Sequence, residues 1–179
     1  MACCSGLSSA IGGDQMSDSL RELRDHLARY GEETWQTRTS IDVSGTSSID
    51  QHVPTSSGVY WVETTMPAEE MRRAISEVLG KEKRVRKHPP NGTTMIKQTS
   101  DDFYIVYSGT EENMNKRLKQ HLFNQGHAET VKLGCIIDDE PFSNYSWRVS
   151  FHKIESYEIR YAVEAWWRLK YGWPTFCLK

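Results

Sequence analysis

Apolar residues recur at helical spacing early in the chain, at Leu20, Leu23, Leu27 and Tyr30. A Ser19–Glu22 pair ahead of them reads as a capping box, and Gly31 reads as the stop, so this stretch predicts a short amphipathic helix. From Thr34 to Thr55 Ser, Thr and Asp predominate without a period, which predicts a linker or loosely draped arm. Gly58 to Glu63 is β-branched and aromatic and reads as a strand. Pro67 then suits a first helical position, Ala68, Met71, Ile75, Val78 and Leu79 supply an apolar face, and Gly80 closes it. Phe103 to Tyr107 predicts a second strand. Met114, Leu118 and Leu122 predict the inward face of a helix ending at Asn124 and Gly126, whereas Ala128 to Ile137 suits either helix or strand. Tyr145 to Phe151 alternates apolar with polar along its whole length, the period of a half-buried strand. Ser156 to Tyr171 places Ile159, Val163, Trp166 and Lys170 along one stripe and predicts a last helix, stopped at Gly172-Trp173-Pro174.

Few strands with helices between them point to an α+β domain, a small three-stranded antiparallel sheet flanked by helices. The expected divisions are a disordered tail at 1–16, an N-terminal helix and Ser/Thr-rich arm at 17–55, and a main domain at 56–179. That domain carries a helical and basic insert at 65–101. A chain of 179 residues suits one such core. No apolar run approaches the roughly 20 residues of a membrane helix, and the small, neutral residues Met1 to Gly13 lack a secretion signal's basic start and apolar centre. Cys3, Cys4, Cys135 and Cys177 form no C-x-x-C pair, which argues against a zinc site or a disulfide framework and for a reducing, cytoplasmic setting. Net charge is −2, so nucleic-acid binding would need positive charge gathered in one place. Lys81, Lys83, Arg84, Arg86 and Lys87, running into a Pro89-Pro90-Asn91-Gly92 turn, supply such a cluster.

The chemistry-bearing candidates lie far apart in the chain. Arg117 and His121 are four residues apart and project from one helix face. Gly109 would let the backbone turn tightly between strand and helix. Tyr60 and Tyr107 would reach a common face from paired strands, and Glu164 would meet them only through the tertiary fold. Each has a plain alternative: strand aromatics pack, Arg117 is a solvated charge, and Glu164 joins Arg160 and Arg168 in a surface ion-pair network. Trp166, Trp167 and Trp173 are assigned to packing.

Taken in order, Gly58-Val59-Tyr60, Tyr107-Ser108-Gly109, Arg117 and Glu164 resemble the GIY-YIG nuclease superfamily, across about Ser57 to Lys179. The local match is fullest from Tyr107 to His121, and an arginine followed four positions later by histidine resembles the restriction-endonuclease branch. The resemblance implies a metal-dependent endonuclease acting on double-stranded DNA. Tyr60, Tyr107, Arg117, His121 and Glu164 would be catalytic. Glu164 would hold one Mg²⁺ (or Mn²⁺), Arg117 the scissile phosphate, and Tyr60, supported by Tyr107, would deprotonate or orient the attacking water. A phenol with an ordinary pKa near 10 needs positive charge nearby for that work, and His121 would lower the barrier or take the proton. Lys81, Lys83, Arg84, Arg86, Lys87 and Lys116 would contact phosphates. One such site nicks, so a double-strand break calls for a homodimer or two sequential cuts. Two departures stand out: 46 residues separate Tyr60 from Tyr107 where the family has a short hairpin, and Cys177 stands where it has an asparagine. The insert is read as an elaborated DNA-contacting arm, and the two departures are the support for an alternative, a DNA-binding or interaction module that keeps the fold and has lost cleavage.

Overall fold

A computed structural model of the chain describes residues 17–79, 88–96, 101–126, 133–134 and 142–177. Four strands form one antiparallel sheet: β1 (Thr39–Asp42), β2 (Gly58–Thr64), β3 (Tyr104–Glu111) and β4 (Trp147–Lys153). Their spatial order is β1-β4-β2-β3, so β2 is central and β3 is an edge. Five α-helices accompany them among the described residues: α1 (Asp18–Gln36), α2 (Thr46–His52), α3 (Ala68–Leu79), α4 (Met114–Phe123) and α5 (Tyr157–Tyr171). The architecture is α+β, with four strands among the described residues where the sequence predicts three.

The additional strand comes out of the supposed arm. Thr39, Ser40 and Asp42 are exposed, so β1 shows no apolar alternation. It forms because β4 offers a free backbone edge, pairing Thr39 with Phe151 through to Asp42 with Arg148, and because the Ser40 and Ser150 hydroxyls meet at 2.6 Å. A polar edge strand of this kind looks like linker in sequence.

The sheet carries an apolar layer on each face. On one, Tyr60, Val62, Val106, Val149 and Phe151 pack with Ile49 of α2, Met71 and Ala74 of α3, and Met114, Leu118 and Leu122 of α4. On the other, Val59, Trp61 and Ile105 pack with Val163 and Trp167 of α5 and with Leu27 and Trp35 of α1. All seven residues of β2 are buried, as expected for a strand covered on both faces.

α1 starts at Ser17, whose hydroxyl accepts from the Leu20 N–H, and it runs straight through Gly31. Gly31 is not a stop. It is the point of closest approach to α5, where a Cβ would lie 2.4 Å from Trp166 Cε3. The buried face of α5 is also turned relative to the predicted stripe, because Arg160, Val163, Glu164 and Trp167 face inward while Ile159 is exposed. α3, α4 and α5 otherwise begin and end close to the predicted positions. α4 is capped by Asn113, whose side chain accepts from Lys116 N, and is closed by Asn124 at φ +54°. At the far end of the sheet, Glu63 is 1% exposed and accepts two bonds from Arg148, at 3.0 and 3.1 Å, plus one from Ser150 at 2.7 Å. Arg148 also pairs with Asp101 at 2.7 Å and lies over the Phe103 ring, tying the end of the insert back to β4.

Candidate active site

Tyr60 and Gly109 face each other across the β2–β3 ladder. Gly109 lies within β3 rather than at a turn, and it serves a different purpose from the one its sequence position suggests. The Tyr60 ring crosses directly over it: a Cβ on residue 109 would sit 2.7 Å from Tyr60 Oη and 2.9 Å from Cζ. The missing side chain lets the Tyr60 hydroxyl reach His121 Nε2 at 3.2 Å. The Tyr107 ring joins them, with its centroid 4.6 Å from that of His121 and 6.3 Å from that of Tyr60. Two phenols and an imidazole thus form one buried group between β2, β3 and α4.

Burial governs how this group titrates. Tyr60 and His121 are each 1% exposed, and Tyr107 is half-buried. Loss of solvent pushes the Tyr60 phenol well above its ordinary range and Tyr107 up to about 12. It also pushes His121 down to about 3, with the Arg117 charge adding to the effect. The imidazole is therefore neutral near pH 7. It supplies no positive charge to Tyr60 but keeps a nitrogen that can accept a proton.

Arg117 is close enough to lower both phenols, although burial outweighs it. Its guanidinium donates to Gln120 Oε1 at 3.1 Å and lies 3.7 Å from Glu111 Oε2. With Glu111, Glu112, Asn113, Gln120 and the exposed Lys116, it lines an open cleft of about 260 Å³.

Glu164 approaches from the opposite side of β3. Residue 108 points away from Tyr107, and the Ser108 hydroxyl donates to Glu164 Oε1 at 3.3 Å. Arg168, one turn further along α5, also donates to Glu164 Oε1. The same guanidinium reaches Ser108 Oγ through Nε at 2.9 Å, and Ser108 O and Cys177 Sγ through Nη2 at 3.1 and 3.3 Å. Cys177 accepts from the Ser108 N–H at 3.2 Å and returns its S–H to Ser108 O at 3.3 Å. Burial raises both the Glu164 carboxyl and the Cys177 thiol, with Arg168 and Ser108 pulling each back. The Glu164 charge in turn raises both phenols, which places it in their electrostatic neighbourhood.

The structure therefore brings Tyr60, Tyr107 and His121 into contact and sets Arg117 and Glu164 around them, on the two sides of β3. Neither the Arg117 cleft nor a narrow apolar slot of about 20 Å³ beside Ser108 and Arg168 is lined by Tyr60, Tyr107, His121 or Glu164. Lys81, Lys83, Arg84, Arg86 and Lys87 lie outside the described residues. Sequence reasoning passed over Ser108, although it stands between two residues singled out, and treated Arg168 as a surface partner of Glu164. The i,i+4 spacing of Glu164 and Arg168 was the available signal. Among the described residues no helix is long and apolar enough to cross a membrane. No protein-family model, curated protein or solved structure matches the chain.

Proposed function

We propose that the chain is a metal-dependent endonuclease that hydrolyses phosphodiester bonds in double-stranded DNA, on a site resembling that of the GIY-YIG nucleases. The observation that carries this reading is the 3.2 Å contact between the Tyr60 phenol and a neutral His121, with Arg117 one helical turn away. Hydrolysis needs a proton acceptor for the attacking water and a cation for the phosphoryl oxygens. As the water oxygen bonds to phosphorus, its proton passes to Tyr60 Oη while the phenolic proton passes to His121 Nε2. The bond from phosphorus to the leaving sugar oxygen breaks, and that oxygen takes up a proton by way of solvent, to which the imidazolium gives its own back through Tyr60. Burial makes a phenolate and an imidazolium costly alike, and the negative charge of the bound phosphate is what offsets the imidazolium. Arg117 grips the phosphate with a forked, charge-assisted contact. Because Tyr60 does not line the Arg117 cleft, substrate binding must open a path from that cleft to the Tyr60 hydroxyl.

Glu164 suits a single divalent cation. Its Oε1 receives the Ser108 and Arg168 donors, and no described residue donates to Oε2. No cluster of three His, Cys, Asp or Glu side chains occurs among the described residues, so Glu164 would hold Mg²⁺ or Mn²⁺ with water and substrate oxygens as the other ligands. When bound, the ion supplies positive charge to the phosphoryl oxygens.

A second reading, a duplex-binding module that does not cut, draws on the ion pair already engaging Glu164 and on the near-complete burial of Tyr60. One experiment separates them. Supercoiled plasmid is incubated with the protein in Mg²⁺ and in EDTA, alongside the Glu164→Ala variant. Mg²⁺-dependent nicking that vanishes in the variant is expected. Duplex binding without nicking, under both Mg²⁺ and Mn²⁺, would favour the module.

A further inference from the structure

A glutamate that alone must present a cation faces a difficulty of orientation. Its side chain rotates about three torsions, and among the described residues no cluster of carboxylates shares the task. Around Glu164 this freedom is removed from one side only. Arg168 and Ser108 both donate to Oε1, while no described residue donates to Oε2.

We propose that Arg168 and Ser108 are positioning residues that lock Glu164 through Oε1, leaving Oε2 as the oxygen presented to a divalent cation. The proposal rests on the nuclease reading above. Its support is that the clamp is itself held from every side. The Arg168 guanidinium is fixed by Ser108 Oγ, Ser108 O and Cys177 Sγ, and it lies over the Trp173 ring, 4.9 Å from the centroid. Cys177 is fixed in turn by the Ser108 N–H and carbonyl. An ordinary i,i+4 surface pair would be solvated and held by nothing else, whereas the Arg168 and Glu164 side chains are only 15% and 10% exposed. Ser108 also joins the clamp to the phenols. One strand residue ahead of it stands Tyr107, so a single stretch of β3 sets the carboxylate on one side and the Tyr107 ring on the other. Partners that orient a metal ligand in this way commonly account for about 10–100-fold in metal affinity.

Terbium(III), a hard cation that favours oxygen ligands, reports the site through luminescence sensitised by nearby rings such as Trp173. The full-length chain is titrated with Tb³⁺ as wild type, Glu164→Gln, Ser108→Ala and Arg168→Lys. The last keeps the charge but loses the fork. The wild-type signal should vanish in Glu164→Gln, and the Tb³⁺ Kd should rise about 10–100-fold in Ser108→Ala and in Arg168→Lys. If Arg168→Lys does not fold, Ser108→Ala decides alone, since it removes only a hydroxyl. Duplex affinity measured in EDTA is the control. A parallel fall there marks general packing and overturns the clamp. An unchanged Tb³⁺ Kd in Ser108→Ala also overturns it, while leaving the nuclease reading intact as long as the signal still needs Glu164. A wild-type signal that is absent, or that persists in Glu164→Gln, overturns the clamp together with the metal role of Glu164. Failure of the nuclease reading itself shows separately, as wild-type protein that does not nick plasmid.

Discussion

Gly109→Ala should damage the candidate site more than any other single methyl group. The new Cβ would lie 2.7 Å from Tyr60 Oη, 2.9 Å from Cζ and 3.3 Å from Tyr107 Cε1. Tyr60 cannot swing away, because it is 1% exposed and packed within the α4-side core. Overpacking of this kind costs about 1–3 kcal/mol. Displacing the phenol from His121 forfeits a hydrogen bond worth a further 0.5–1.5 kcal/mol or so. The sum is about 1.5–4.5 kcal/mol, a fall in Tm of roughly 3–18 °C for a chain of this size. Urea denaturation of a double-mutant cycle tests the cause. Tyr60→Phe alone should cost about 0.5–1.5 kcal/mol, because it removes the buried hydrogen bond to His121 Nε2. Beside Gly109→Ala the same change removes the atom in closest conflict, so its cost should drop below about 0.5 kcal/mol, the usual margin of additivity. Costs that simply add would refute the steric argument and release Gly109 from its role beneath Tyr60.

Three further outcomes are expected. The folded-state pKa of His121, about 3, lies below its unfolded value, so its contribution to stability is complete above pH 6.5 and is lost as pH falls toward 3. The wild type should therefore lose up to about 1.4 kcal/mol per pH unit across that window from this one group, and His121→Gln should show a correspondingly shallower acid slope. Equal slopes in urea melts at pH 7, 5 and 4 would mean that the imidazole is not held neutral. Glu63→Ala removes the charge-assisted bonds to Arg148, which keeps its pair with Asp101, and should destabilise the fold by about 1.5–3 kcal/mol, and a loss under 1 kcal/mol in the same assay would discount the pair. Changing Lys83, Arg84, Arg86 and Lys87 together to Ala should weaken duplex binding and flatten the slope of log Kd against log salt by up to about 4. An unaltered slope would remove that run from the interface.

Side chains that repeat with a period were legible, and side chains that matter singly were not. α3, α4 and α5 announce themselves through apolar spacing, and α4 and α5 also through Asn124 and Gly172 at their ends. β1 and α2 do not: one is exposed along nearly its whole length, and the other is seven residues long with only Ser48 and Ile49 buried. Neither offers enough repeats to stand out from a polar stretch. Gly31 and Gly109 each read as chain-direction signals, yet both are points where a ring from another element lies against the backbone, Trp166 in one case and Tyr60 in the other. That distinction exists only in three dimensions. The phenol–imidazole contact was foreseeable from the helix face shared by Arg117 and His121. The company kept by Glu164 was not, because it depends on which way Ser108 points from an edge strand.

The N-terminal third has a consequence for anyone dissecting this chain. A fragment beginning at residue 56 would match the boundary suggested by the sequence, yet it would lose the indole of Trp35 stacked 4.9 Å from that of Trp61 and the strand hydrogen-bonded to β4. What remained would present a wet tryptophan face and a bare row of amides and carbonyls, the features through which truncated sheets recruit one another into aggregates. Expression trials should therefore keep residues 17–55, and a shorter product that precipitates would say nothing about the chemistry of the site.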